Sequence, residues 1–341
     1  MAQQDNPSSS GDEGASLGAG VLPTATVGPL TVTRLWFGGA PIAGLYNPVS
    51  DEDAWATLEA AWEGGVRAFD VAPLYGSGLA ERRVGAFLAT KPRDEFVLST
   101  KVGRLLVRRD RPVDHGTFAP SEWDPEWDFS GDGVRRSLEE SLERMGLDRV
   151  DVALIHDPDD HFTEARQEAY PALEALRADG VVRAIGLGMN QTEMLERFVR
   201  ETDIDCVLVA GRYSLIDDRA ADGLLPAAAE RSVAVLVAGV FNSGILATPG
   251  PGATFNYEPA AADLVARAQA IAALAADYDV PLPQLAIQWP LRHPAVTSAV
   301  VGMRAPAEVA ANLRYLSLPV PEELWERLAA SGLLGWTAPA N

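Results

Sequence analysis

The sequence predicts a single-domain α/β protein closed into a (β/α)8 barrel. From about Thr31 onward short apolar runs alternate with amphipathic stretches, the runs number eight, and no G-x-G-x-x-G follows the first of them. Strict alternation implies a parallel sheet, and eight units favour its closure into a barrel. The missing glycine fingerprint disfavours the open dinucleotide-binding sheet. At 341 residues, 47% of them hydrophobic, length alone leans towards two domains, but barrels of this class absorb such a length as one.

The eight runs are residues 34–37, 66–69, 96–98, 150–155, 181–187, 206–209, 233–237 and 299–301. Each is short and rich in Val, Ile or Leu without strict polar alternation, as parallel strands covered on both faces are. Seven of them lead into clear helical patterns. Ser50-Asp51-Glu52-Asp53 opens one helix with a capping-box pattern. Val134, Leu138, Leu142 and Met145 recur at helical spacing, as do Ala165, Ala169, Leu173 and Leu176. Gly180 suits the end of the latter helix. Two connections, residues 103–130 and 241–259, exceed the usual few residues, and both follow strands. In a barrel both then lie on the face where active sites are built, and they read as irregular segments that set specificity.

Charged residues make up 22% of the chain and the formal net charge is −20. That charge argues against nucleic-acid and anionic-membrane partners, which need a basic surface. Cys206 is the only cysteine, so an intrachain disulfide and a thiolate metal cluster are excluded, and its apolar setting reads as core. No apolar run reaches the ~20 residues of a membrane helix. Residues 1–28 read as a flexible polar extension without signal-peptide features, ahead of a barrel spanning 29–341 in a cytoplasmic protein, monomeric or homodimeric. His115, His161 and His293 share no metal-ligand spacing with one another or with His156, so no metal is expected.

Three consecutive strands end in polar groups. The run at 66–69 ends in Asp70, with Tyr75 five residues on; the run from Phe96 ends in Lys101; the run from Val150 ends in His156. Polar residues closing apolar strands of one barrel share its mouth. Singly each has a bland explanation in capping, solvent contact or packing, but one chemistry explains all four. A carbonyl accepting a hydride needs a proton, and a carbinol losing one must give a proton up. A phenol does this poorly at neutral pH unless a neighbouring ammonium lowers its pKa, with a carboxylate to hold the ammonium and an imidazole to orient the substrate oxygen.

The motif Asp70-x4-Tyr75-Gly76, with Lys101 and His156, resembles the tetrad of the aldo-keto reductase family, and the resemblance extends from about Thr31 to Leu316. It implies Tyr75 as general acid/base, Lys101 as its pKa modulator, Asp70 as partner of Lys101, and His156 as the substrate-orienting group. The stretches from Trp127 to Leu138, Ala153 to Asp159 and Gly239 to Gly244 are similar to a branch containing aldose (L-fucose) 1-dehydrogenases and pyridoxal 4-dehydrogenase. That branch oxidises a hemiacetal to a lactone, typically with NAD, so a small carbonyl or sugar is the expected partner. The fold also serves as a non-catalytic, cofactor-sensing subunit, a reading the intact tetrad weighs against.

The resemblance also implies cofactor contacts. Relatives using NADP carry a Lys and an Arg where this chain has Gly302 and Glu308; a carboxylate repels a 2′-phosphate but accepts bonds from a ribose diol, so NAD is expected over NADP. Arg304 offers another route to such a phosphate, and Asn312 follows Glu308 in the same stretch. The aromatic that commonly stacks on the nicotinamide is replaced by small residues, leaving Phe241 or Tyr213 as substitutes. Asn190 is a candidate carboxamide partner, and Asn242, Ser243 and Gly244 suit a pyrophosphate loop. Trp123 and Trp127 either wall the substrate or pin their loop, and Arg212 either binds sugar hydroxyls or pairs with an acid.

Overall fold

A computed structural model describes residues 22–114 and 116–334. Eight parallel strands close into a barrel: β1 (Leu35–Gly38), β2 (Ala68–Asp70), β3 (Val97–Val102), β4 (Val152–His156), β5 (Ala184–Met189), β6 (Cys206–Ala210), β7 (Ala234–Ala238) and β8 (Val296–Gly302). Each strand pairs with its sequence neighbour, and β8 returns to β1. Around them run α1 (Asp51–Glu63), α2 (Leu79–Leu88), α3 (Gly131–Met145), α4 (Tyr170–Ala178), α5 (Thr192–Glu201), α6 (Leu224–Arg231), α7 (Ala262–Ala276), α8 (Leu282–Leu291), α9 (Pro306–Ser317) and α10 (Glu322–Ala330). The expected cap at Ser50 is present, its hydroxyl accepting from the backbone N–H of Asp53 at 3.0 Å, and Ser130 caps α3 in the same way through Gly133 N–H at 3.0 Å.

Alternation along the strands divides the apolar residues between two cores. Outward residues such as Phe37, Phe69, Leu98, Ile155, Leu187 and Val209 pack beneath the helices. Inward residues, among them Trp36, Ala68, Val97, Val152, Leu154, Leu208 and Leu236, fill the barrel itself. Cys206 belongs to this interior and is fully enclosed, with burial raising its thiol pKa, so the core reading stands. Strand β5 turns only Ala184, Gly186 and Gly188 inward. A Cβ on Gly186 would lie 1.9 Å from the Cys206 carbonyl oxygen, so only glycine lets β5 and β6 run this close. Asp205 and Asp151 stitch strand starts together by accepting the N–H of Ile185 (2.8 Å) and Leu98 (2.9 Å).

Two features differ from expectation. The polar extension gives way earlier than residue 28: Thr24–Val27 pairs antiparallel with Leu30–Thr33, and Val27, Leu30 and Val32 enter the barrel interior from below. The turn Val27-Gly28-Pro29-Leu30, with Gly28 at φ 52°, makes this hairpin, which plugs the end opposite the strand termini that carry polar residues. Residues 1–21 lie outside the described residues. The first long connection is also more regular than expected, being an antiparallel hairpin of Arg104–Val113 against Ser121–Trp127. It is tied to the barrel mouth where Tyr46 N–H donates to Thr117 O (2.8 Å) and Ser77 Oγ–H to Trp123 O (2.9 Å). The second connection contains a short helical turn at Asn242–Gly244 and a small ladder of Thr254–Phe255 with Glu258–Pro259.

Among the described residues no helix is long and apolar enough to cross a membrane.

Candidate active site

The inward rows of β2, β3 and β4 change character as they rise towards the mouth. Ala68 is followed inward by Asp70, Val97 by Ser99 and Lys101, and Val152 and Leu154 by His156. The period of two that fills the barrel with aliphatic groups therefore delivers a carboxylate, an ammonium and an imidazole to one level. Lys101 Nζ lies 2.9 and 2.8 Å from the two Asp70 oxygens and 3.0 Å from Val71 O, with both side chains almost fully buried. Gly188 leaves room on the far side, since a Cβ there would approach Lys101 Cε to 3.3 Å.

Tyr75 enters from the turn after β2, half-buried, with Lys101 Nζ 4.8 Å from its ring centroid and the His156 ring edge-on at 6.0 Å. The structure thus brings all four expected residues together. The electrostatics modify one expectation. Burial raises the Tyr75 phenol, Lys101 pulls it down, and Asp70 and Tyr257 push it up, so that together they leave it at about 12. The ammonium acts in the expected direction but desolvation outweighs it. For Lys101 burial favours the neutral amine, yet Asp70 and Tyr75 reverse this and raise its pKa, so it stays an ammonium. His156 is driven well below the usual imidazole value by burial, then by Arg104 and Lys101, and is neutral at physiological pH. Its Nδ1 is buried without a hydrogen-bond partner, and its Nε2 is 3.4 Å from Asp157 Oδ2.

Several neighbours were not anticipated. Ser99 Oγ–H donates to Asp70 Oδ1 at 2.5 Å; its place two residues before Lys101 on one strand was the available signal. Arg104 bonds Asp157 Oδ2 at 2.6 Å while its guanidinium lies 3.9 Å over Trp127. Burial lifts the Asp157 carboxyl to about 6, against the pull of Arg104. Phe118 stacks on Tyr75 at 6.4 Å, and Tyr46 and Tyr257 meet at 6.1 Å, so aromatic rings from three loops surround the mouth.

Trp127 stacks on Phe129 (5.5 Å) and lies near His161 (5.8 Å), which pins the hairpin, while it and Trp123 remain 45% and 44% exposed. Arg212 is committed elsewhere: it donates to Asn190 O (2.9 Å), Gly211 O (3.1 Å) and Asn256 Oδ1 (2.6 Å), and faces Asp217 at 3.6 Å. Of the two readings of Arg212, pairing with an acid is the one this geometry favours over binding sugar hydroxyls, within a clamp between loops. Tyr213 is corrected. Gly211 (φ 68°) turns the chain after β6, so Tyr213 is fully enclosed between Trp289 and His293 rather than facing the mouth. Of the two aromatics considered for the nicotinamide, Phe241 alone is partly exposed. The small residues before it have a steric cause: a Cβ on Gly239 would stand 3.0 Å from Gly211 N.

The loops after β7 and β8 hold the residues expected to meet a dinucleotide. Asn242, Ser243 and Gly244 have successive positive φ of 44°, 59° and 110°, and nothing lies within 4 Å of the Cβ position of Gly244. Left-handed non-glycine backbone costs on the order of 1 kcal/mol per residue, and such runs cluster at ligand clamps. Asn242 Nδ2 donates to Gly211 O at 3.1 Å, whereas its Oδ1 is buried without a partner. The Asn190 side chain is exposed and Asn312 is buried. A Cβ on Gly302 would lie 2.6 Å from Pro41 Cγ, so that position admits no longer side chain. Glu308 accepts from Arg304 N (2.9 Å) and Nε (3.0 Å), which holds Arg304 beside the first turn of α9. His115 lies outside the described residues.

The model of the aldo/keto reductase family matches residues 34–332. The chain is 46% identical to a D-threo-aldose 1-dehydrogenase of Pseudomonas sp, over 92% of this chain and 98% of that one. It is 40% identical to a pyridoxal 4-dehydrogenase of Microbacterium luteolum, over 89% and 95%. Its fold matches a glycerol dehydrogenase structure from Gluconobacter oxydans with a TM-score of 0.73 at 24% identity, covering 93% of this chain and 97% of that one. With a barrel of the same architecture and named dehydrogenases matched over nearly their whole length, the chain belongs to the aldo/keto reductase family and is an oxidoreductase.

Proposed function

We propose that this oxidoreductase is an NAD-dependent aldose 1-dehydrogenase that converts the cyclic hemiacetal of a sugar to a lactone. The meeting of Tyr75, Lys101, Asp70 and His156 at one end of a plugged barrel carries the proposal, and the 46% identity to an aldose 1-dehydrogenase supports its substrate class. A bound nicotinamide supplies the hydride acceptor for the anomeric C–H. The chain's own residues handle the proton. Tyr75 takes it from the anomeric hydroxyl as that oxygen becomes the lactone carbonyl, and the Lys101 ammonium favours the phenolate in which Tyr75 can do so. Asp70 and Ser99 fix Lys101, and neutral His156 orients the substrate oxygen without competing for the proton. Asn242, Ser243, Gly244 and Phe241 would hold the dinucleotide on one side, and Gly302, Glu308 and Asn312 on the other.

NAD over NADP rests on Gly302 and Glu308. Pro41 excludes a longer side chain at the first, and the second adds a carboxylate, already joined to Arg304, where a 2′-phosphate would need cations. Glu308→Arg is expected to raise the ratio of kcat/KM for NADP over NAD at least about tenfold, equivalent to ~1.4 kcal/mol of discrimination; an unchanged ratio counts against the assignment.

The aromatic rim of Tyr46, Tyr257 and Phe118 favours a second reading, oxidation of pyridoxal, whose flat ring suits such a wall. Initial rates at the reduced-nicotinamide band, with NAD and with NADP, over L-fucose, D-arabinose, L-galactose and pyridoxal separate the two. Turnover of an aldose with NAD is the expected result. Turnover confined to pyridoxal overturns the substrate class, and faster turnover with NADP overturns the cofactor.

A further inference from the structure

The plugged end of the barrel carries an unassigned cleft of about 450 Å³, bordered by the hairpin turn at Pro29 and Leu30 and by the segments entering β2, β3, β4 and β5. Four arginines line it, Arg67, Arg93, Arg149 and Arg183, against Asp94, Glu95 and Asp151. Two are neutralised locally: Arg149 Nη2 meets Asp94 at 2.5 Å, and Arg93 Nη2 meets Asp151 at 2.8 Å. The other two are not. Among the described residues neither Arg67 nor Arg183 has a carboxylate within 4 Å. Arg67 lies 3.9 Å over the Trp62 ring and gives Nη1 to Trp62 O and Val66 O, which leaves Nε and Nη2 without protein acceptors. Arg183, directly before β5, is exposed, with its guanidinium uncommitted.

Two further observations point to a missing anion. Arg93 Nε, in the cleft wall, is without a hydrogen-bond partner among the described residues, although the rest of that guanidinium bonds Phe96 O, Arg149 O and Asp151. Burial lowers the Arg67 pKa and only Glu95, through space, opposes it, which marks a guanidinium short of counter-charge. Four cations against three carboxylates make the cleft locally positive in a chain whose net charge is −20. That overall charge turns away a nucleic acid or an anionic membrane but not a small ligand that fits among the side chains.

We propose that this cleft is a second binding site, for a phosphate group taken either as inorganic phosphate or as the end of a small phosphorylated metabolite, held between Arg67 and Arg183. Planar guanidinium forks match a tetrahedral oxyanion through paired N–H···O bonds. The cleft volume is within the range of small-molecule sites. Because Arg67 precedes β2 and Arg183 precedes β5, one bound phosphate ties together strand entries separated by two intervening strands. The site is at the opposite end of the barrel from Tyr75, so binding stabilises the fold without competing at the mouth.

The test is calorimetric titration and thermal unfolding of the full chain in chloride buffer, with inorganic phosphate and with glucose 6-phosphate, at constant ionic strength. Saturable heat and a rising melting temperature are expected, with affinity at least tenfold weaker in Arg183→Glu and partly restored in Arg183→Lys. Arg183 is exposed, so these variants fold, and their turnover at the mouth should equal wild type. Binding of the sugar phosphate alone supports the site with a contact to the esterified part, and binding of both supports recognition of phosphate itself. Equal titrations in wild type and Arg183→Glu, or a melting shift reproduced by sodium chloride, overturn the proposal.

Discussion

Replacing Tyr75 by Phe is expected to lower kcat by between about 100- and 10,000-fold while leaving cofactor affinity unchanged. The substitution deletes one oxygen, the one that exchanges a proton with the substrate, and keeps the ring that stacks with Phe118 and faces His156. The fold should therefore survive it. With the phenol pushed up to about 12, Tyr75 is protonated at neutral pH. Oxidation needs the phenolate, so its rate in the wild type should climb as pH rises from 7 towards 10, and the Phe variant should lose that climb. Initial rates against pH, together with quenching of protein fluorescence by the cofactor, measure both effects. Undiminished turnover in the Phe variant would sink the mechanism.

Lys101→Met is expected to cost a similar factor in turnover and, unlike the first variant, to destabilise the protein. The substitution leaves Asp70 buried with Ser99 as its remaining side-chain partner. Breaking a buried ion pair from one side costs ~3–5 kcal/mol. The folded-state pKa of Lys101 is raised, so the pair's contribution is complete below the ordinary lysine value and is lost only as pH climbs through the higher folded value. The pair itself should hence contribute equally to wild-type stability at pH 6 and pH 9. Adding Asp70→Asn should recover much of the stability and none of the turnover, which thermal unfolding and initial rates read separately. Full activity in the single variant would remove Lys101 from the mechanism.

The tetrad was legible because each strand that carries it ends an apolar run in a polar residue, and a barrel gives such endings one destination. The strands were legible for a similar reason: burial on both faces leaves a continuous apolar signature. Ser99 carried a signal as well, since it shares the inward phase of Lys101. Other features had less to announce them. The strand Ser121–Trp127 contains Pro125 and a shifted register and lacks the alternation of a half-buried ribbon. Tyr213 misled because it follows an apolar run, and the left-handed turn at Gly211 that takes it away from the mouth has no signature beyond one glycine. Arg212 stayed open between two readings because proximity to a strand end does not show which carbonyls and acids will consume its donors. The N-terminal hairpin was readable, as its Gly28-Pro29 turn separates two short β-prone segments, but it was overshadowed by the polar stretch preceding it.

That hairpin also bears on how the enzyme can be put to use. Pro23 O accepts from Arg34 N at 2.8 Å, so the chain reaches the barrel at its plugged end. A surface tether joined directly at Leu22 therefore departs from that end, with the catalytic mouth turned away from the support. Immobilisation at Leu22 leaves the route to Tyr75 open, whereas a support that grips the Arg104–Trp127 hairpin would cover it.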